Sequence, residues 1–207
     1  RMRKAVQRIL KIVMFFNINL MIIMGVLSEP IIQVLLGDKW LNTVPYLQLL
    51  VLVGVLYPMH AINVQILTAL GRSDLFLRIE ILKKLVGIPP VLLGIFVGIK
   101  AMIIGMIITS FISLAINAYY TNKMIDFGLI KQIKSLSNSF IVSLVLIITL
   151  LPAVIFLKGS VSQLVILVGC SFTSLFIIVL MARMFKMEEF SEIKAIFQTY
   201  RLNAGKR

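Results

Sequence analysis

The chain has 207 residues, of which 60% are hydrophobic and only 14% charged, whereas soluble domains average near half apolar and about a quarter charged. That composition, with a mean hydropathy of +1.04, excludes a soluble enzyme or binding domain and leaves an integral membrane protein. The 21 Lys and Arg against 8 Asp and Glu lie mostly between apolar runs, so the excess reads as membrane topology and not as a nucleic-acid surface.

The opening, RMRKAVQR, begins with Arg and has no signal-peptide layout, which predicts the later part of a longer protein. Apolar runs follow at Leu10 to Leu36, Val44 to Leu70, Leu75 to Val97, Ala101 to Tyr120, Ser139 to Leu157 and Val161 to Met184. Each is long enough to cross a bilayer as a helix of about 20 residues, so the expected fold is an all-α integral membrane protein with about six transmembrane helices. Turn chemistry separates the runs, at Gly37-Asp38, Gly71-Arg72-Ser73-Asp74, Gly98 and Lys158-Gly159-Ser160. Cys170 is the single cysteine and lies in the last run, so no disulfide and no Cys-based metal site can form within the chain.

With Lys83 and Lys84 set aside as buried, sixteen basic residues fall on one side of these spans and three, Lys39, Lys100 and Lys158, on the other. The side rich in Lys and Arg is the cytoplasmic one, which places both ends of the chain there. Trp40 and Tyr46 suit an outer aromatic belt, Tyr119 and Tyr120 an inner one. Gly105, Thr109, Ser113 and Asn117 recur every four residues in the fourth run, a small and polar stripe suited to close helix contact. The second run carries Gly54, Pro58, Ala61, Gln65 and Thr68, and the first Asn17, Asn19, Ser28 and Glu29. These features divide the chain into a four-helix part at residues 1–124, two more apolar and peripheral helices at 125–186, and a tail at 187–207. In the tail, Phe190, Ile193, Ile196, Phe197 and Tyr200 share one face, as in an amphipathic helix lying on the cytoplasmic surface or packed on the inner loops.

The third run carries charges where lipid forbids them. Arg78, Glu80, Lys83 and Lys84 lie within it, and an ionisable side chain at mid-bilayer costs roughly 2.5 to 3.5 kcal/mol even on lenient insertion scales. At about 100° per residue, Glu80, Lys83, Lys84, Gly87, Val91, Gly94 and Gly98 share a face, while Arg78 points nearly opposite and can snorkel to the headgroups. Lys84 stands roughly 13 Å along the helix from Leu75, approaching the middle of a core about 30 Å thick. Glu80 is spaced to neutralise one lysine and leave the other for an anion. The competing arrangement is a helix entering obliquely, with all four charges solvated among the headgroups. Pro89 and Pro90 then interrupt the helix register.

Catalytic signatures are absent: no nucleophile elbow, Walker loop, HExxH or CxxC occurs, and apart from the tail pair the carboxylates are scattered. No catalytic residue, metal site or cofactor is expected. His60 stands alone after Pro58, as a packed residue or a proton carrier. Glu29 either reaches outside water or binds a coupling cation. Asn63 and Gln65 suit sugar or cation contacts as well as interhelical hydrogen bonds, and Asn117 belongs to the polar stripe.

The outer loop Leu36-Gly37-Asp38-Lys39-Trp40, the stretch Val44-Pro45-Tyr46-Leu47-Gln48-Leu49-Leu50, the segment from Asn63 to Asp74 and Lys83-Lys84 together resemble the C-terminal part of Wzx-type O-antigen flippases. These belong to the multidrug/oligosaccharidyl-lipid/polysaccharide exporter superfamily. The resemblance runs from about Ile9 to Met124 and more loosely onward. It implies the second lobe of a two-lobe MATE-like transporter in the bacterial inner membrane, flipping undecaprenyl-diphosphate-linked oligosaccharide by alternating access. It further implies that Lys83, Lys84 and Arg78 meet the diphosphate, and that the partners are the lipid-linked oligosaccharide, membrane lipid, a missing N-terminal lobe and polysaccharide polymerase machinery. A Na⁺- or H⁺-coupled drug or metabolite antiporter of the same superfamily would instead rely on Glu29, His60 and Glu80. A membrane glycosyltransferase or polymerase is the third reading, and the short loops speak against it.

Overall fold

The computed structural model describes residues 2–184; the predicted tail helix lies outside them. The chain is helical: α1 (Met2–Val26), α2 (Ser28–Leu36), a 3-10 turn (Asp38–Thr43), α3 (Val44–Ala69), α4 (Ser73–Phe96), α5 (Ile99–Ile125), α6 (Leu129–Ser135), α7 (Ser137–Leu157) and α8 (Gln163–Met184). Five of these, α1, α3, α5, α7 and α8, are long and apolar enough to cross a membrane, which makes a multi-pass membrane protein. Large apolar side chains such as Phe96, Phe156 and Phe172 stand on the outer surface, where lipid can cover them. The remaining predicted span, α4, has the length but holds Glu80, Lys83 and Lys84 amid its apolar residues.

Two features of the layout have a common cause in backbone hydrogen bonding. The first apolar run is one helix interrupted at Leu27, because Pro30 has no N–H to offer the carbonyl of Val26. The break lets α2 set off separately, with Ser28 accepting from Gln48 Nε2 at 3.0 Å and Glu29 paired with Lys158 at 2.7 Å. In α3, Pro58 likewise leaves the carbonyl of Gly54 without its helical donor. Asn17 of α1 supplies one: its Nδ2 donates to the carbonyls of Gly54 and Val55 at 3.1 Å each. The polar residue in α1 thus repairs the defect that proline makes in α3, and the helix continues through it.

Packing runs in the order α4, α5, α3, α1, α7, α8. Helix α1 serves two cores: Leu10, Met14 and Ile18 meet Leu56, Met59 and Leu114, and Phe15, on another face, meets Val142, Leu146, Leu150 and Ile166 of α7 and α8. At the other end of the row, α4 buries only Leu75, Ile79 and Pro90 and is tied closely to α5. Gly98 at φ 119° makes the short turn between them, a conformation open to glycine and strained for other residues. Gly105 and Gly94 then face Pro90 and Met102 across the hairpin at close range, so part of the predicted small-residue stripe lies at this contact.

Sequence periodicity does not announce α6, which has seven residues. It is held by a reciprocal amide pair: Asn63 Nδ2 donates to Gln132 Oε1 at 2.9 Å and Gln132 Nε2 to Asn63 Oδ1 at 2.8 Å. Both amide nitrogens also reach backbone carbonyls, of Met59 and Phe127. Every polar atom of this buried pair is therefore satisfied, the condition under which a buried polar pair adds definition without a desolvation penalty.

Candidate functional site

A cavity of about 400 Å³ lies between α3, α4 and α5. Its walls are mostly apolar, including Val53, Val91, Met102 and Met106, and the polar groups converging on it are Tyr57 and His60 from α3, Lys83 from α4, and Thr109, Ser110 and Ser113 from α5. Pro90 and Gly87 complete the α4 wall. An added Cβ on Gly87 would meet nothing within 4 Å, so this part of the wall faces open space. An apolar space with a few convergent polar groups is the usual form of a binding site.

His60 is held at both ring nitrogens. Asn117 Nδ2 donates to Nδ1 at 3.2 Å, so Nδ1 is the acceptor, Nε2 carries the hydrogen, and it donates to Ser110 Oγ at 3.0 Å. The ring is thereby clamped between α3 and α5. Asn117 is fully buried, and its Oδ1 has no partner among the described residues. The amide could therefore turn and accept from a protonated Nδ1. Ser110 was not legible as a site residue, because it stands one position off the four-residue stripe of α5.

Lys83 Nζ donates to Glu80 Oε1 at 2.6 Å across one helical turn, with the side chains 23% and 34% exposed. The expected neutralisation of one lysine is thus realised at Lys83, the lysine on the cavity wall. Lys84 and Arg78 are exposed and away from the cavity. Glu29 lies at a different place, bound to Lys158, so neither Glu29 nor Glu80 is an unpaired carboxylate. Gln65 is exposed on α3 beside Met2 and Val6 of α1, and Asn63 is consumed by Gln132. Of the nine residues singled out by sequence, the structure gathers His60, Lys83, Glu80 and Asn117 around one cavity. Among the described residues no group of three or more His, Cys, Asp and Glu is placed to hold a metal ion.

At the end of the bundle where α1 begins, Asp126 takes the left-handed conformation at φ 53° that closes α5. It joins Arg3 at 3.0 Å and Lys131 at 2.5 Å. The hydrogen bond and charge of Lys131, with Arg3 adding to them, hold the Asp126 carboxyl below its usual range.

Over residues 1–45 the chain is similar to a family described as polysaccharide biosynthesis protein. No curated protein and no solved structure matches it. The family match supports a part in polysaccharide synthesis or export for this multi-pass membrane protein.

Proposed function

We propose that the chain is the later part of a lipid-linked oligosaccharide flippase, with no catalytic chemistry of its own. The observation that carries the reading is Lys83, a cation on the wall of a cavity between three helices, in a chain similar to polysaccharide biosynthesis proteins. A diphosphate entering a low-dielectric cavity needs a fixed positive partner. Lysine is a compact point charge suited to binding and release. In the empty cavity Glu80 occupies the ammonium and keeps the local charge near zero; the arriving diphosphate takes its place, and on release the internal pair re-forms. Tyr57, Ser110 and Ser113 offer hydroxyls for the first sugar. Lys84 and Arg78, exposed on other faces of α4, meet the headgroup at the cavity mouth or a preceding lobe of the same protein.

In this reading the membrane is a bacterial inner membrane, the chain ends are cytoplasmic, and polysaccharide polymerase machinery receives the product. The test is export of surface polysaccharide in cells lacking the gene, complemented with the full-length parent carrying Lys83→Gln. Loss of polysaccharide with lipid-linked units accumulating, at normal protein level, supports the reading; undiminished export refutes it.

A second reading is a proton-coupled antiporter of the same superfamily. It draws on His60, which contacts Asn117, whose buried amide oxygen has no partner among the described residues. Proton uptake accompanying drug export by the parent, abolished by His60→Gln, would favour it.

A further inference from the structure

We infer a phosphate-binding site between α1, α6 and α7, which takes the headgroup of an anionic phospholipid. A cavity of about 360 Å³ opens there where α1 begins, lined by Arg3 and Lys11 of α1, Lys131 and Lys134 of α6, and Ser137 and Asn138 at the start of α7. Four cationic side chains from two helices thus converge on one concavity, and among the described residues no carboxylate lines it. Asp126 stands outside these walls and grips Arg3 and Lys131. One carboxylate shared between two cations fixes their positions and leaves a net positive charge on that trio. Lys134 has no partner among the described residues.

The start of α7 adds to this field. The helix has 21 residues, no side-chain cap and no acid in its first turn, and its first residues Ser137 and Asn138 line the cavity. N–H groups of its first turn therefore lie near the wall, while α6 ends one residue short of it and a junction N–H goes to the Lys134 carbonyl. Together with the two hydroxyl and amide side chains there, these are the donors a phosphate group accepts from.

A phospholipid fits better than a soluble anion because of what adjoins the site. Lys131 also lines a second cavity, of about 510 Å³, with Ala115, Ala118, Leu129 and Ile130 among its walls. Asp126, Asn122 and Tyr119 also line it, so an acyl chain would lie along the Ala115, Ala118, Leu129 and Ile130 side, with the Asp126 carboxylate turned to Arg3 and Lys131. Basic pockets between membrane helices on the side rich in Lys and Arg are suited to anionic lipid. An occupied site ties α1, α6 and α7 together. It is separate from the central cavity and does not rest on the transport reading.

The test is thermal unfolding of the full-length protein in a neutral detergent, titrated with dioctanoyl phosphatidylglycerol, dioctanoyl phosphatidylcholine or inorganic phosphate at fixed ionic strength. Phosphatidylglycerol should raise the midpoint and saturate, as a ligand of the folded state does, while phosphatidylcholine should not. Lys134→Gln should weaken phosphatidylglycerol about fivefold, the effect of one surface cation worth about 1 kcal/mol. Lys39→Gln, in the 3-10 turn, should leave it unchanged. Equal shifts from both lipids, or equal weakening by both substitutions, would overturn the site. Phosphate acting at the same concentration as phosphatidylglycerol would overturn the lipid as its occupant and assign a soluble anion.

Discussion

Replacing Gly105 by alanine drives a methyl group into the backbone of α4. A Cβ at that position lies 3.1 Å from Pro90 Cα, 3.2 Å from Pro90 Cβ and 3.3 Å from Leu93 Cδ1, inside the roughly 3.5–4.0 Å at which carbon atoms attract. A proline ring in mid-helix has no rotamer by which to turn aside, so α4 as a whole must retreat from α5. Gly87 is the natural control, since its Cβ would project into open space. Both substitutions gain the same helix propensity, about 1 kcal/mol over glycine. The difference between them is therefore the overpacking cost alone, about 1–3 kcal/mol. At about 2–4 °C per kcal/mol for a chain of this size, Gly105→Ala should unfold about 2–12 °C below Gly87→Ala. Because membrane proteins often unfold irreversibly, the two should be compared at one scan rate in one detergent. If the variants melt together, α4 and α5 are not in backbone contact at Pro90, and the cavity wall described above is misplaced.

Asn17→Ala removes the donor that serves the Gly54 carbonyl and should cost about 1–3 kcal/mol; Pro58→Ala restores a helical N–H to that carbonyl, so the double variant should recover most of the loss in a thermal double-mutant cycle. Asn63→Leu and Gln132→Leu each strand a buried amide and should each destabilise by about 1–3 kcal/mol, whereas the double leucine variant should be far closer to wild type. Asp126 titrates below its ordinary value in the folded chain. Its carboxylate therefore stabilises fully above about pH 4, and this contribution is lost as the pH falls through the depressed value. A melting-temperature profile should accordingly fall more steeply below about pH 4 in the wild type than in Asp126→Asn.

The succession of spans was legible because a bilayer dictates helix length, and the turns at Gly37, Gly71, Gly98 and Gly159 announced themselves as residues tolerant of positive φ. What escaped was pairing between distant polar residues. Gln132 and Asn63 lie 69 positions apart, and nothing in either segment names the other. Ser110 is found beside His60 only once α3 and α5 are packed. The adjacent lysines were placed together on too broad a face. Leu75, Ile79 and Pro90 are the buried residues of α4; by helical spacing Lys83 borders that face, and Lys84 stands about 100° further round. The buried positions themselves come from tertiary packing, which a helix polar at one end and apolar at the other does not reveal. The interruption at Leu27 was foreshadowed by Pro30, but proline permits a kink as well as a break.

The most direct measurement of the central claim is transbilayer movement of a fluorescent, diphosphate-linked oligosaccharide lipid by the reconstituted full-length parent, comparing wild type with Lys83→Gln and Lys84→Gln. The cavity account predicts that Lys83→Gln slows movement at least about tenfold, the effect of about 1.4 kcal/mol lost from a charge-assisted contact, while Lys84→Gln stays within about twofold of wild type. Equal rates for Lys83→Gln and wild type, with insertion verified, would contradict it.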